Sequence, residues 1–137
     1  MMTKRLILIL GTLIFTGCAS FSPRQAKLVG QWRFQDPALG PHTISFTHDN
    51  QFTLDYNGDN QKDIWGHYDI VLNKYIKFED AREEMFTVCL HSGYYAFTIH
   101  NNELTFETFA DTCGPRIGTL LAGWKKVTAD KLYQSSK

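Results

Sequence analysis

Oxygen-bearing side chains recur at alternate positions from Asp55 onward, in the pattern of a calcium-binding loop. Asp55, Asn57 and Asp59 match the first ligand positions of such a loop, and their oxygens suit the hard Ca²⁺ ion. The sixth position is Asn60, where that loop needs glycine, and the twelfth is Gly66, where it needs a bidentate glutamate. A polar hairpin turn explains the same residues, and we assign no metal site to them.

The other candidate metal ligands are five histidines: His42, His48, His67, His91 and His100. No two of them are two or four positions apart, the spacings that place imidazoles on one face of a strand or helix. Most fall at expected strand ends, where a solvated histidine is the simpler interpretation. The sequence also has no nucleophile elbow, no His-Glu-x-x-His motif and no phosphate-binding loop. We therefore predict a protein that is not an enzyme and has no catalytic residue, metal or cofactor.

The composition is that of one globular domain. The chain has 137 residues, 43% of them hydrophobic and 14% aromatic, which is enough to fill a core without a partner. Its 14 basic residues balance 14 acidic ones, and this neutrality argues against nucleic acid as a partner. An acidic group falls in an expected connection, where we predict that it is solvated: Glu79, Asp80, Glu83 and Glu84.

The N-terminus carries the most specific pattern in the sequence. Residues 1–5 carry the positive charge, residues 6–15 form an apolar run broken only by Gly11 and Thr12, and Thr16 and Gly17 then lead to Cys18. The apolar run is too short to span a bilayer as a mature helix. This order of segments is typical of a cleaved signal peptide.

The segment resembles the signal peptide of bacterial lipoproteins, with Phe15-Thr16-Gly17-Cys18 where that family has its lipobox and Phe15 in place of the usual leucine. The resemblance implies cleavage before Cys18, a diacylglycerol on its sulfur and a further acyl chain on the new amino group. Several chains together anchor a protein stably, since each buried methylene contributes about 0.8 kcal/mol. Ala19 after the cysteine implies sorting to the bacterial outer membrane, with the domain facing the periplasm. The alternative is an ordinary secretory signal with a chance cysteine.

Lipidation of Cys18 would leave a pair of cysteines, Cys89 and Cys113, in an oxidising compartment. Each would then have a single possible partner, and we predict a disulfide between them. Closing a loop of this length removes about 3 to 3.5 kcal/mol of unfolded-chain entropy. Two buried free thiols are the alternative.

The remainder of the chain alternates apolar and polar residues in short runs separated by turn signals, which predicts β-strands. The clearest hairpin joins Tyr94–His100 to Leu104–Phe109. We predict an all-β fold, either an antiparallel up-and-down barrel of about eight strands or a sandwich, with a short helical turn before the last strand. The predicted organisation is a signal peptide (1–17), a lipidated tether (18–26), a barrel domain (27–128) and a polar tail (129–137).

Spaced motifs carry a second resemblance. Gly30-x-Trp32 lies on the first strand; Cys89-x-x-x-Gly93-x-Tyr95, Asn102-x-Leu104-Thr105-Phe106 and Asp111-x-Cys113-x-x-Arg116 follow, and Trp124 lies on the last strand. Together they are similar to small bacterial lipocalin-like domains, over roughly residues 28–127. The resemblance implies that Trp32 plugs one end of the barrel. We group Gly30, Arg116 and Trp124 with this plug, and expect Arg116 to stack on Trp32 or Trp124 through a cation-π contact.

An eight-stranded barrel is either filled by side chains or holds one small ligand. The residues expected to line a ligand site are Phe46, Phe52, Leu54, Tyr68, Phe86 and Phe106. Two functions follow. The first, which the resemblance favours, is a membrane-anchored carrier of a small hydrophobic molecule in the bacterial envelope. The second is a module with a filled barrel that binds another envelope protein through an exposed aromatic residue, with Trp65, Tyr94 and Tyr56 as candidates.

Overall fold

A computed structural model of the chain describes residues 22–80 and 89–128. A short helix precedes the strands and another precedes the last strand. The elements are, in order, α1 (Pro23–Leu28), β1 (Gly30–Asp36), β2 (Gly40–Phe46), β3 (Gln51–Asp55), β4 (Ile64–Val71), β5 (Tyr75–Asp80), β6 (Gly93–His100), β7 (Glu103–Ala110), α2 (Gly114–Leu120) and β8 (Trp124–Lys126).

The eight strands form a closed barrel in which each strand pairs antiparallel with the next. The last strand closes the barrel on the first, through Trp32 opposite Lys126 and Arg33 opposite Lys125. The predicted all-β, up-and-down barrel and the short helix before the last strand are confirmed. The sandwich is excluded, because closure leaves one continuous sheet.

The period-2 pattern of the sequence determines which side chains enter the barrel. Along β2, for example, His42, Ile44 and Phe46 are buried while the residues between them are partly exposed. The same alternation on the other strands builds one apolar core. Its buried members are Leu28, Trp32, Ile44, Phe46, Phe52, Leu54, Tyr68, Ile76, Phe78, Tyr95, Phe97, Leu104, Phe106, Leu120 and Trp124.

Helix α1 lies across one end of the barrel, which we call the α1 end. Ser22 caps the helix by accepting a hydrogen bond from the Arg24 N–H at 3.2 Å. The Ser22 hydroxyl also donates to Asn73 Oδ1 at 2.9 Å, in the turn between β4 and β5. The Gln25 side chain donates to Asn50, in the turn between β2 and β3. The helix therefore bridges two turns of the barrel. The opposite end carries α2, and we call it the α2 end.

The predicted tether, residues 18–26, is wrong at its C-terminal part, because Pro23 to Ala26 are helical and belong to the folded domain. A proline at the first helical position after a serine cap is a helix start signal, and six residues are too few to show helical periodicity. Several predictions lie outside the described residues: the signal peptide, Cys18, Phe86 and the tail. Among the described residues, no helix is both long and apolar enough to cross a bilayer.

Candidate functional site

Aromatic rings fill the inside of the barrel around Phe78. The centroid of its ring lies 5.1 Å from that of Phe52, 5.8 Å from Tyr95, 5.8 Å from Phe106 and 6.1 Å from Phe46. Most of these pairs meet edge to face, the arrangement that aromatic quadrupoles favour. Phe78 thus joins rings from β2, β3, β6 and β7 into one cluster.

The predicted ligand-lining residues that the structure describes all face this interior and are buried: Phe46, Phe52, Leu54, Tyr68 and Phe106. Three of them pack against Phe78, and the Tyr68 ring meets that of Phe46 at 5.2 Å. The Tyr68 hydroxyl donates to the Thr47 carbonyl at 2.7 Å. These side chains are brought together in one core, where Phe78 joins three of them.

Trp32 closes the barrel at the α1 end. Its indole N–H donates to the Leu28 carbonyl at 2.7 Å, and both residues are buried. Gly30 connects α1 to β1 with a φ of +121°, a conformation that a residue with a Cβ rarely adopts. The cation over the Trp32 ring is Lys126, whose Nζ lies 4.3 Å from the ring centroid. The Lys126 ammonium also donates to the Val29 carbonyl at 2.6 Å, which ties β8 to the helix.

Arg116 lies at the α2 end, away from Trp32. Its Nε and Nη2 donate to Asp111 at 2.6 and 3.0 Å, and Nη1 donates to Asp80 at 3.0 Å. A further bond from Nη2 reaches the His91 carbonyl at 2.7 Å, and the Tyr95 hydroxyl donates to Asp111. The expected cation-π role of Arg116 is therefore replaced by a buried ionic network. Two carboxylates attract the guanidinium more strongly than an indole face does.

The two carboxylates of the network have different environments. Burial disfavours ionisation of Asp111, but hydrogen bonds from Arg116, Tyr95 and the Cys113 N–H outweigh it and lower the pKa of this carboxyl. Burial raises the pKa of Asp80 despite the opposing charge of Arg116. Burial also raises the pKa of Tyr95, and its bond to Asp111 adds to the effect. Arg116 makes two hydrogen bonds to Asp111 and one to Asp80, so Asp111 is its principal partner.

Gly93 and a disulfide complete the α2 end. A Cβ on Gly93 would lie 2.2 Å from Asp111 Oδ2 and 2.8 Å from Arg116 Nε, so only glycine leaves room for the pair. Cys89 and Cys113 form a disulfide with their Cα atoms 5.5 Å apart, in the range of unstrained bridges. Cys113 also precedes α2 as its N-cap residue. The bridge therefore fixes the chain just before β6 to the helix that carries Arg116.

Trp124 completes the plug residues at this same end. Its indole N–H donates to the Leu120 carbonyl at 3.3 Å, and its ring lies 6.0 Å from that of Phe34. The residues grouped as one plug thus divide between the two ends, with Gly30 and Trp32 below α1, and Arg116 and Trp124 beside α2. Each helix accepts an indole hydrogen bond through a carbonyl near its C-terminus.

Two buried polar atoms of the described residues lack a hydrogen-bond partner: His42 Nδ1 and Thr108 Oγ1. His42 is 5% exposed, and its ring lies between those of Phe34, at 5.9 Å, and Tyr56, at 5.4 Å. Burial raises the pKa of Tyr56. His42 and Thr108 each lie two residues from the α2 end of their strands. Two buried polar side chains therefore lie inside the barrel near its α2 end.

The loop that resembled a calcium site is held by its own backbone. Asp55 accepts hydrogen bonds from the N–H groups of Asn57, Gly58 and Asn60, at 3.1, 2.7 and 3.0 Å. These bonds use the oxygens that a cation would need. No group of three or more His, Cys, Asp or Glu side chains in residues 22–80 and 89–128 is arranged to hold a metal ion.

The exposed aromatic surface lies on the outer face of β5, β6 and β7. Phe109 is 65% exposed, and its ring lies 4.6 Å from that of Tyr75. The pairing of β6 with β7 shifts between Tyr94 and Tyr95, which leaves Phe109 as the extra residue of a bulge. We call the pair Tyr75 and Phe109 the outer aromatic pair.

Of the three aromatic residues expected on the surface, Tyr94 is half-buried on this face of the barrel. Trp65 lies on the outside of β4 beneath the Lys62 ammonium, at 4.4 Å, and Tyr56 packs against the core. Phe109 follows the outward alternation of Thr105 and Glu107, so the sequence pattern could have placed it on the surface; only its contact with Tyr75 on another strand was hidden. Sequence reasoning missed Asp80 because its ionic partner, Arg116, is 36 residues away.

No protein-family model, no curated protein and no solved structure matches the chain, so a functional assignment rests on its sequence patterns and on this geometry.

Proposed function

We propose that this chain is a lipid-anchored, lipocalin-like lipoprotein of the bacterial envelope whose filled barrel binds another envelope protein. The observation that carries the proposal is the ring cluster around Phe78, since a cargo on the barrel axis would have to displace it. Burying each such side chain stabilises the fold by about 1.5 to 3 kcal/mol, a role that needs no ligand.

Two features support a location outside the cytoplasm. The pattern that ends at Cys18 is that of a lipoprotein signal, and the proposed anchor is its acylated cysteine. The Cys89–Cys113 disulfide is of the kind that persists in oxidising compartments such as the periplasm. Both agree with an outer-membrane protein that faces the periplasm.

The outer aromatic pair is the proposed contact with the partner protein. Aromatic side chains are enriched among the residues that dominate binding energy, and Phe109 is largely exposed. Tyr75 supports the Phe109 ring from one side, and the Lys74 ammonium lies 5.0 Å from the Tyr75 ring centroid. The contact is thus a supported apolar surface with a cation at its edge.

Photo-cross-linking in living cells tests the contact. A photoreactive aromatic residue replaces Phe109, and the matched control replaces Gln35, an exposed residue on β1. We expect a discrete cross-linked protein from position 109 and none from position 35. Phe109→Ala should then weaken binding to that purified protein about thirtyfold, as expected for a residue that dominates an interface. Equal cross-linking from both positions would contradict the proposal.

A second candidate function is the carrier of a small hydrophobic molecule, which His42 Nδ1 and Thr108 Oγ1 favour. A buried polar atom without a partner costs about 1 to 3 kcal/mol, and a ligand with a polar group would recover part of that cost. The carrier would hold its cargo at the α2 end, beyond the ring cluster. If the chain is such a carrier, a small molecule should co-purify with the wild-type protein. The double variant His42→Phe, Thr108→Val should then purify without that molecule.

A further inference from the structure

The turn between β4 and β5 contains a leucine that the fold does not explain. Leu72 is 84% exposed and has a φ of +53°, a left-handed conformation that favours glycine or asparagine. Its neighbour Asn73 has the same conformation with a residue type that suits it. An apolar, branched side chain that is both strained and solvated at a turn tip indicates a function in binding.

The proposed anchor leaves the domain beside this turn. Ser22 donates a hydrogen bond to Asn73 at 2.9 Å, and the Arg24 guanidinium donates to the Asn73 carbonyl at 2.8 Å. Cys18 precedes Ser22 by four residues, which span at most about 14 Å when fully extended. Because Ser22 contacts Asn73 directly, the acyl chains of Cys18 would hold the turn that carries Leu72 close to the bilayer. The distance from the turn to the hydrocarbon core would be no more than about two thicknesses of the headgroup layer.

The side chains around Leu72 suit an anionic bilayer. Arg24, Lys27 and Lys74 are basic, and Lys74 and Lys27 are exposed at this end. Acidic side chains are also present here, at Asp49, Asp69 and Glu103. The basic residues belong to α1, which follows the proposed anchor directly in the chain, and to the turn that Ser22 and Arg24 contact.

We infer that the α1 end of the barrel docks on the surface of the anionic bilayer, with Leu72 inserted among the lipid headgroups and the α2 end directed away from the membrane. The inference rests on the proposed acylation of Cys18. It leaves Phe109, near the α2 end of β7, free to contact a partner protein. It also places exposed Leu39, at the α2 end, in solvent.

Fluorescence on the mature acylated protein tests this orientation. The protein is reconstituted into vesicles of phosphatidylethanolamine and phosphatidylglycerol after intact-mass analysis has established its acylation. A small environment-sensitive dye is attached at Leu72→Cys or, as the matched control, at Leu39→Cys. The control is also an exposed leucine in a turn, at the opposite end. We expect iodide to quench the dye at position 72 several-fold less than the dye at position 39, with a blue-shifted emission only at position 72.

Equal iodide quenching at the two positions in acylated protein would overturn the orientation and leave the anchor intact. Protection at position 39 instead would overturn it as well, because the α2 end would then face the bilayer. A mass without acyl chains would overturn the anchor and, with it, the orientation. In a separate check, Leu72→Asn should raise the unfolding temperature of the protein in detergent, since asparagine adopts the left-handed conformation at a lower cost than leucine. An unchanged or lower unfolding temperature would show that the fold itself requires Leu72.

Discussion

Replacing Arg116 should be the most damaging single change of charge in the described part of the barrel. Its guanidinium makes four hydrogen bonds, to Asp111, Asp80 and the His91 carbonyl, at 2.6 to 3.0 Å. The Arg116 and Asp80 side chains are 6% exposed and that of Asp111 is 1% exposed. Removing one partner of a buried pair leaves an uncompensated charge, which costs about 3 to 5 kcal/mol. We therefore expect Arg116→Met to lower the free energy of unfolding by that amount, as measured by urea unfolding at neutral pH.

The variant Arg116→Lys distinguishes the contribution of the positive charge to stability from that of the hydrogen bonds of the guanidinium. A lysine keeps the positive charge but cannot bridge two carboxylates and a carbonyl at once, so it should still lose about 1 to 3 kcal/mol. The double variant with Asp111→Asn should lose less than the sum of the single variants, because the residues belong to one network. Lys125→Met, which removes the exposed partner of Glu103 at 4.0 Å, is the control and should leave the midpoint unchanged. A loss below about 1 kcal/mol for Arg116→Met would refute the network as a source of stability.

Four further outcomes follow from the structure. Replacing Cys89 and Cys113 by serine should cost about 3.5 kcal/mol in urea unfolding, from the loop that the bridge closes; an unchanged midpoint would contradict this. Trp32→Ala should cost about 3 to 5 kcal/mol, since the buried indole also bonds to α1; calorimetry measures it. Leu72→Asn should gain about 1 kcal/mol by relieving a left-handed leucine. Because the pKa of Asp111 is lowered, its stabilisation is complete above the usual value of 3.8 and is lost as the pH falls through the lower folded value. Asp111→Asn should therefore reduce the fall in the free energy of unfolding that the wild type shows as the pH drops below 3.8.

The barrel could be predicted from the sequence because period-2 alternation is local. Each strand needs only its own residues to show which side chains face inward, as Ile44 and Phe46 do on β2. The turn between β6 and β7 could be predicted equally well, since Asn101 and Asn102 both adopt the left-handed conformation that their residue type favours. The count of about eight strands followed from these two signals. The short helix before β8 was predicted from an N-cap at Asp111 or Thr112 and from Gly118 and Gly123, and its N-cap in the structure is Cys113.

The site could not be predicted to the same extent because its contacts are remote in sequence. Asp80 meets Arg116 across 36 residues, and no local pattern distinguishes it from the solvated Glu79 beside it. Lys126 takes the position over Trp32 that the sequence analysis gave to Arg116. Which cation meets which ring depends on the closure of the barrel and on where each helix crosses its ends.

Native mass spectrometry tests most directly whether the barrel is filled. Residues 19–137 are secreted to the periplasm, purified, and weighed under native and denaturing conditions, before and after incubation with envelope lipids and fatty acids. Phe78→Ala is the positive control, since removing the ring at the centre of the cluster opens a cavity for a small apolar molecule such as benzene. We predict an unliganded native mass for the wild type and, after incubation with benzene, bound benzene for Phe78→Ala alone. A wild-type mass raised by a non-covalent molecule that leaves on denaturation would contradict the filled barrel and establish the carrier.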